Sequence, residues 1–483
     1  MAEFPILRST GAPPKAAPKG TRWGRFELKQ KRQNPSWTGS SRPATERRRR
    51  AKKTKKSPMK AFDTLYERGF FYQTTDENQV KHLLNEESVT FYVGFDPTGR
   101  SLHVGHLLPI MAMRRLQKCG HRPIALVGGG TAMVGDPSGK TEARPILTRD
   151  EVDANAEGIK SQLARFLTFG EDRAMLVNNA DWLAPLNYIE FLRDVGRHFS
   201  VNRMLATESV KQRLETGLSF LEFNYALLQA YDFYVLRRDH NCRFQFGGQD
   251  QWGNIVAGID LTRRMLGEEV YGATFPLLLK SDGEKFGKTA SGAVWLDPEL
   301  TSPYEYYQFW RNAADADVPR LLAFFTDLPM DEVHELGTLV PPTINRAKEI
   351  LGYEATRLAH GDEQAKQAYL ASGAEFGFAD PEGTIPTSSA VRTISTSETT
   401  ADVPRHTVTS DAVAAGLGLL DLFVEAGLCN SKGEARRLIR GGGAYVNDDK
   451  VADETATITA DDFTDGRLTL RAGKKNRRRI LVS

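Results

Sequence analysis

Val89-Thr90-Phe91-Tyr92-Val93-Gly94, followed by His103-Val104-Gly105-His106, is the stretch on which the fold turns. The first run is short, β-branched and aromatic, which predicts a buried strand. Immediately after the histidines, Leu107, Ile110, Met111 and Leu116 recur at helical spacing and predict a helix over Leu107 to Gln117. A strand, a glycine-bearing turn and a helix make half of a βαβ unit, the building block of a parallel sheet. The alternation continues to about Lys280. Further strands are predicted at Pro123-Ile124-Ala125-Leu126-Val127, Ala174-Met175-Leu176-Val177 and Arg243-Phe244-Gln245-Phe246, with helices over Ser219 to Val235 and Asp250 to Leu266. The fold class is therefore α/β with a parallel sheet.

The chain has 483 residues, enough for two to four units at roughly 100–200 residues each. Hydrophobic residues make up 40% and charged residues 26%, and no run approaches the ~18 apolar residues of a membrane span. No membrane association is expected. Cys119, Cys242 and Cys429 are far apart and form no CxxC pair, which fits a reducing cytoplasm. The net charge of +3 conceals an asymmetry, because the acids of residues 1–58 are only Glu3, Glu27 and Glu46 while Arg47-Arg48-Arg49-Arg50-Ala51-Lys52-Lys53 lies among them. That segment reads as a disordered basic extension. It could serve as a nucleic-acid-binding arm, act as an organelle transit peptide, or be a solvated tail ahead of a start at Met59. A catalytic α/β domain is then expected over 59–300, a helical unit over 301–370 broken at Pro341-Pro342, a linker rich in Ser, Thr, Gly and Pro over 371–413, and a small basic α/β unit over 414–483.

The histidine pair opens a helix at the carboxyl edge of a parallel sheet, where open α/β folds bind ligands. Gly105 lets a ligand approach the backbone, the helix start favours an anion, and two imidazoles can donate to phosphate oxygens. By itself the pair reads equally as metal ligands or surface histidines. Lys285-Phe286-Gly287-Lys288-Thr289 sits in a polar loop with two lysines around a glycine, which suits a clamp on a polyphosphate. Both motifs within one α/β domain are far more specific than either. Gly135-Asp136-Pro137-Ser138-Gly139-Lys140-Thr141 imitates a P-loop but fails on spacing: Val134 stands where the pattern needs glycine, and Pro137 would disturb the amide cradle.

These segments, together with Tyr92 to His106, Tyr225 to Asp232 and Gly247-Gly248-Gln249-Asp250-Gln251-Trp252-Gly253-Asn254, resemble the bacterial tyrosyl-tRNA synthetases, a class I family. The resemblance runs from about Phe62 to the C-terminus, and Val104 stands where isoleucine is usual. It implies a Rossmann-like catalytic domain that activates L-tyrosine with ATP and Mg2+, with no protein-bound metal, and transfers tyrosine to tRNA(Tyr). The matching positions imply an ATP site of Asp96, Thr98, His103, Gly105, His106, Gly248 and Asp250, with Lys285, Lys288 and Thr289 acting on the phosphates and Lys140 and Arg144 near departing pyrophosphate. They imply a tyrosine site with Tyr92 and Asp232 at the phenol, Asp136, Tyr225 and Gln229 at the ammonium, and Gln251 near the carboxylate. The chemistry agrees: a phenol donates and accepts, so phenylalanine would leave both Tyr92 and Asp232 unpaired. Tyr225, Gln229 and Asp232, at spacings of four and three, share one helix face.

The C-terminal unit resembles an S4-type RNA-binding domain. Ser431 and Glu434 suit a capping box, and Lys432, Arg436 and Arg440 make a basic helix face that Arg437 and the run from Lys474 to Arg479 extend toward RNA. The family implies a homodimer built on an insertion at about 183–212, although Asn202-Arg203-Met204-Leu205 and its apolar neighbours could equally be core. Two rival activities remain open: a tryptophan-specific relative, disfavoured by the Tyr92 and Asp232 pair, and an RNA-binding regulator on an inactive scaffold.

Overall fold

The computed structural model describes residues 60–138, 147–281, 283, 286–289, 292–395, 405–447, 449–464, 466–473 and 476–482; the basic extension lies outside them. Six strands form the central sheet: β1 (Gln73–Thr74), β2 (Thr90–Phe95), β3 (Arg122–Val127), β4 (Met175–Asn178), β5 (Cys242–Gly248) and β6 (Tyr271–Phe275). Their order is β1-β6-β5-β2-β3-β4. All neighbours are parallel except the antiparallel pair of β1 and β6. Strand order reverses between β2 and β5, so a crevice opens beyond the carboxyl ends of these two strands.

The centre of the sheet is covered on both faces, which explains why β2 reads as an unbroken apolar run. Phe91, Val93 and Phe95 turn into the large core with the helix Leu107–Lys118, whereas Tyr92 points to the opposite face and joins Ile124, Leu126, Phe233 and Leu236. The four predicted strands are present, displaced by a residue or two at their ends. β1 and β6 were not expected: β1 has two residues, and Gly272 interrupts the apolar pattern of β6. The helix predicted from Ser219 to Val235 is divided. Ser219 caps a short helix, Phe220–Phe223, and after Asn224 a longer one, Tyr225–His240, continues to Asn241, which closes it in the left-handed conformation at φ 54°.

Five helices follow: Pro303–Arg311, Val318–Phe325, Met330–Gly337, Ile344–His360 and Asp362–Phe376. Trp310, Leu321, Phe325 and Ile350 belong to the same apolar cluster as Phe91 and Phe95, so these helices share the core of the sheet. Guanidinium groups strengthen the junction. Arg68 donates to the Ala323 carbonyl at 2.8 Å, Arg115 to the Thr326 carbonyl at 2.5 Å, and Arg114 to Asp327 at 2.7 Å, so the last carbonyls of the helix Val318–Phe325 are capped from the catalytic unit.

The expected linker over 371–413 is largely ordered. Its first residues complete the helix ending at Phe376, and Asp380, Thr387, Ser389 and Val391 are buried. The Ser and Thr residues that suggested a linker instead serve carboxylates: Ser389 donates to the buried Glu354 at 2.6 Å, and Thr387 donates to the half-buried Glu332 at 2.6 Å. At the far end, Arg405–Val408 pairs in parallel with Asn476–Val482, so the C-terminal unit begins before residue 414. Only 396–404 of the supposed linker lie outside the described residues. The C-terminal unit has a five-stranded sheet and its own apolar cluster, including Leu422, Phe423, Ile439 and Leu470, beneath the helices Leu419–Glu425 and Lys432–Arg440.

Candidate active site

A cavity of about 370 Å³ occupies the crevice between β2 and β5. Its deep end is polar and buried. Tyr92, 1% exposed, packs edge-on against Phe233 with centroids 5.3 Å apart, and its hydroxyl has no hydrogen-bond partner among the described residues. Burial first, then the charge of Asp232, hold that phenol well above its ordinary range. Asp232, also 1% exposed, accepts from the Trp182 indole N–H at 2.8 Å and from Asn179 Nδ2 at 3.0 Å. Burial nevertheless pushes its carboxyl up to about 8. An unpaired buried hydroxyl costs about 1–3 kcal/mol. A ligand hydroxyl that accepts from Tyr92 would remove that cost, and by donating to Asp232 would favour its charged form.

Farther along the same wall, the Tyr225 hydroxyl donates to Asp96 Oδ2 at 2.9 Å, and Asp136 accepts from the Ser138 N–H at 2.9 Å and Gln251 Nε2 at 2.7 Å. Burial, joined by the neighbouring charge of Asp96, raises Asp136 to about 6. Asn254 donates to both Gln229 Oε1, at 2.9 Å, and Gln251 Oε1, at 3.2 Å. The one-face expectation for Tyr225, Gln229 and Asp232 is realised: all three are buried and line the cavity. Two or three carboxylates close together in a dry wall suit a cationic group. Asp96, expected beside the nucleotide, is held from this end, with Thr131 donating to its Oδ1 at 2.9 Å.

The other end is open, and glycines shape it. His103 Nδ1 accepts from the Gly105 N–H at 3.0 Å and His106 Nδ1 from the His103 N–H at 3.2 Å, with ring centroids 4.1 Å apart. A neutral imidazole that accepts at Nδ1 carries its proton on Nε2, so the backbone selects the tautomer that donates. A Cβ on Gly105 would stand 2.6 Å from the His103 ring, and one on Gly248 would stand 2.5 Å from Asp250 Oδ1. Thr98, His103, Gly105, His106, Gly248 and Asp250 all line this end.

The two motifs meet. Gly287, at φ 90°, lies so close to the histidine turn that a Cβ would be 2.7 Å from Val104 Cγ2, and the Val104 N–H donates to the Val294 carbonyl at 2.9 Å. Phe286 anchors the loop against Phe309 and Trp310, with centroids at 5.1 and 5.6 Å. Lys288–Thr289 pairs with Gly292–Ala293 in a short hairpin. Lys285, Lys140 and Arg144 lie outside the described residues.

The C-terminal helix Lys432–Arg440 contributes nothing to the cavity. Its basic stripe is partly neutralised: Lys432 pairs with Asp421, and Arg436 and Arg440 both pair with Glu454, at 3.4 and 2.8 Å. The expected capping box is half formed, since Ser431 accepts from the Glu434 N–H while Glu434 accepts from the Asn430 N–H. Arg437 is exposed on the same helix. Residues 183–212 form short helices that bury Val195 and Val210 but expose other apolar side chains, Ile189 at 70% and Val201 among them, so only part of this segment is core packing.

Sequence reading missed Asn179, Trp182, Thr131, Gln245 and Asn254. A signal existed for Thr131, which directly follows Gly128-Gly129-Gly130 at the end of a predicted strand. The other four carry no such local signal; the fold brings Asn179 and Gln245 to the wall and sets Trp182 and Asn254 behind it, bonded to Asp232 and Gln229.

Comparison with known proteins agrees with this architecture. Residues 84–377 match the family described as tRNA synthetases class I (W and Y), and residues 395–479 match the tyrosine–tRNA ligase SYY-like C-terminal domain. The tyrosine–tRNA ligase of Desulfosudis oleivorans is 52% identical over 429 residues, covering 88% of this chain and 99% of that protein. That of Clostridium tetani is 50% identical over 421 residues, covering 87% and 98%. Among solved structures, a C-terminally truncated mitochondrial tyrosyl-tRNA synthetase of Aspergillus nidulans superimposes with a TM-score of 0.59 at 32% identity, covering 66% of this chain and 94% of that one.

Proposed function

The chain belongs to the bacterial-type tyrosine–tRNA ligases of class I, and from that premise we propose which of its residues perform tyrosine activation and transfer. The activity is tyrosine–tRNA ligation: tyrosine and ATP give tyrosyl-adenylate and pyrophosphate, and tyrosine then passes to tRNA. Tyrosine lies with its phenol against Tyr92 and Asp232, the former donating and the latter accepting. Its ammonium faces Asp136, Tyr225 and Gln229, and Gln251 is at hand for the carboxylate. The observation that carries this reading is the buried Tyr92 hydroxyl, unpaired among the described residues and lining the same cavity as Asp232. Phenylalanine would leave the Tyr92 hydroxyl unpaired and Asp232, already held by Trp182 and Asn179, without the donor that favours its charged form. A polar pocket rejects an isostere most strongly when its buried groups go unpaired, and the general magnitude of that effect, ~10⁵, comes from a tyrosyl enzyme in the first place.

ATP occupies the open end, its ribose near Gly248 and Asp250 and its phosphates near Thr98, His103, Gly105 and His106. A tyrosine carboxylate oxygen attacks the α-phosphorus in line, a new P–O bond forms, and the bond to pyrophosphate breaks. No protein nucleophile is needed. The Nε2–H groups of the two histidines and the ammonium groups of Lys285 and Lys288, with the Thr289 hydroxyl, meet charge as it develops on the phosphates. Among the described residues no cluster of three His, Cys, Asp or Glu side chains is placed to hold a metal; Mg2+ enters with ATP, and its role is to neutralise phosphate charge.

Lys432, Arg436, Arg437 and Arg440 contact the tRNA backbone, and a second copy of the chain covers the exposed apolar residues of the insertion at about 183–212, with Leu214 and Phe220 just beyond it. Tyr188, Ile189, Val201, Leu214 and Phe220 support the homodimer, since exposed apolar residues concentrated in one segment mark an interface. The free cysteines fit a cytoplasmic setting, and no helix among the described residues is long and apolar enough to cross a membrane. Exchange of labelled pyrophosphate into ATP tests the reading. Tyrosine is expected to support exchange far better than phenylalanine or tryptophan, whereas exchange that ignores the amino acid, or none from folded protein, contradicts it.

A further inference from the structure

The glycines Gly128-Gly129-Gly130 and the threonine after them are not used by any step above, yet they sit where the two ends of the amino-acid pocket meet. Thr131 is 2% exposed, and its backbone is fixed in a tight turn whose carbonyl accepts from the N–H groups of Val134 and Gly135 at 3.0 and 2.9 Å. Its hydroxyl donates to Asp96 Oδ1 at 2.9 Å and accepts from Asn179 Nδ2 at 3.0 Å. The same Nδ2 donates its other proton to Asp232 Oδ2 at 3.0 Å, and Asn179 Oδ1 accepts from the Gly130 N–H at 2.7 Å. That last bond fixes the orientation of the amide, so both Nδ2 protons are committed as donors. The direction of the chain is then determined: because Asn179 donates to Thr131, the threonine proton goes to Asp96, whose other oxygen accepts from Tyr225 at 2.9 Å.

A second observation is independent of these bonds. A Cβ on Gly128 would lie 2.0 Å from Asp96 Oδ1 and 2.5 Å from Thr131 Oγ1, and one on Gly130 would lie 3.3 Å from Asn179 Oδ1. Gly128 thus makes room for this hydrogen-bonded bridge, while Gly130 is confined first by Leu183 at 3.0 Å.

We propose that Thr131 is a specificity-determining positioning residue: its hydroxyl joins the Asp232 end of the pocket to the Tyr225 end, so that the aim of Asp232 at a phenol depends on it. The inference rests on the tyrosine pocket described above. Thr131 lines the cavity, but its hydroxyl is engaged by Asn179 and Asp96 and acts through them. Without the hydroxyl, Asn179 keeps its bonds to Asp232 and to the Gly130 N–H but loses one of its braces, and Trp182 still holds the other carboxylate oxygen. The effect is therefore partial, on the scale of one buried hydrogen bond, about tenfold in an equilibrium or rate ratio.

The test measures kcat/KM for tyrosine and for phenylalanine in pyrophosphate exchange, together with KM for ATP, in the full chain. Thr131→Val, nearly isosteric, is expected to raise the tyrosine KM and narrow the tyrosine-to-phenylalanine ratio about tenfold, with the ATP KM moving less than about twofold. Thr131→Ser, which keeps the hydroxyl, restores the ratio; a merely structural role would be indifferent to that rescue. If the valine variant does not fold, Thr131→Ala reads the same ratio. A folded variant with the ratio unchanged, or a serine variant that fails to restore it, overturns the proposal. Asp232→Asn in the same assay separates the two readings: an unchanged ratio there defeats the tyrosine pocket itself, whereas a narrowed ratio beside an unaffected Thr131→Val defeats only this inference.

Discussion

The two ends of the cavity are built by opposite means. At the tyrosine end, most polar groups are buried and already joined to one another: Asp232 to Asn179 and the half-buried Trp182, Tyr225 and Thr131 to the half-buried Asp96, and the half-buried Gln251 to Asp136. At the phosphate end the side chains are exposed or half-buried, and glycines at 105, 248 and 287 keep the wall open. The difference fits what each end is proposed to recognise. Choosing one side chain from its near-isosteres requires buried groups whose lost hydrogen bonds are costly. Stabilising charge that appears only as a bond breaks requires donors that engage late and strongly.

The contrast can be broken by substitutions that ought to separate rate from recognition. Replacing Lys288 with Ala is expected to slow adenylate formation by about 10²–10³-fold while tyrosine affinity, read by equilibrium dialysis, stays within about twofold. A parallel loss in both would merge the two ends. Asp232→Ala is expected to do the converse. It should weaken tyrosine binding by about 10–100-fold and narrow selection against phenylalanine, with ATP affinity little altered in the same titrations.

Proton titration sharpens the comparison, because the raised carboxyl of Asp136 belongs to the tyrosine end. Its ionised form is the one that attracts an ammonium, so tyrosine affinity should fall as pH drops through about 6, by up to about tenfold per unit, beyond the fall through about 8 that protonation of Asp232 brings. The sign for the empty protein is reversed: a carboxyl raised by burial contributes stability below its unfolded value that is lost as pH rises through about 6. A flat affinity profile between pH 5 and 8 would remove Asp136 from the ammonium site. The smallest effect on chemistry is expected at the exposed apolar segment. Ile189→Asp should shift the sedimenting species from dimer toward monomer, and an unchanged dimer would place the interface elsewhere.

Much of this division was legible in the residues, and the parts that were not share a cause. Strands β2 and β3 were visible because buried parallel strands are apolar on both faces, β4 as a short apolar run at the sheet edge and β5 by its two phenylalanines alternating with Arg243 and Gln245. The histidine turn was visible because glycine and helix start occur together. Within the described residues the paired motifs do meet, through Gly287 and Val104. Asn179, Trp182 and Thr131 were missed because their part in the pocket depends on a tertiary hydrogen bond, and nothing in local periodicity marks an Asn that will orient an Asp fifty-three positions away. The segment after residue 370 was misread for the same reason: Ser, Thr and Gly suggest solvated chain, yet Thr387 and Ser389 are spent on Glu332 and Glu354. The basic stripe was real in sequence, but the fold set Glu454 beside two of its arginines.

The measurement that bears most directly on the tyrosine end is the ratio of kcat/KM for tyrosine over phenylalanine in pyrophosphate exchange, compared between the natural chain and Tyr92→Phe. Removing one hydroxyl from a buried pocket should reduce the tyrosine value by about 5–30-fold and leave the phenylalanine value unchanged or slightly improved, since one fewer polar group is stranded against the apolar ring. Equal losses for both amino acids, or no change in either, would contradict the claim that the Tyr92 and Asp232 pair selects the substrate.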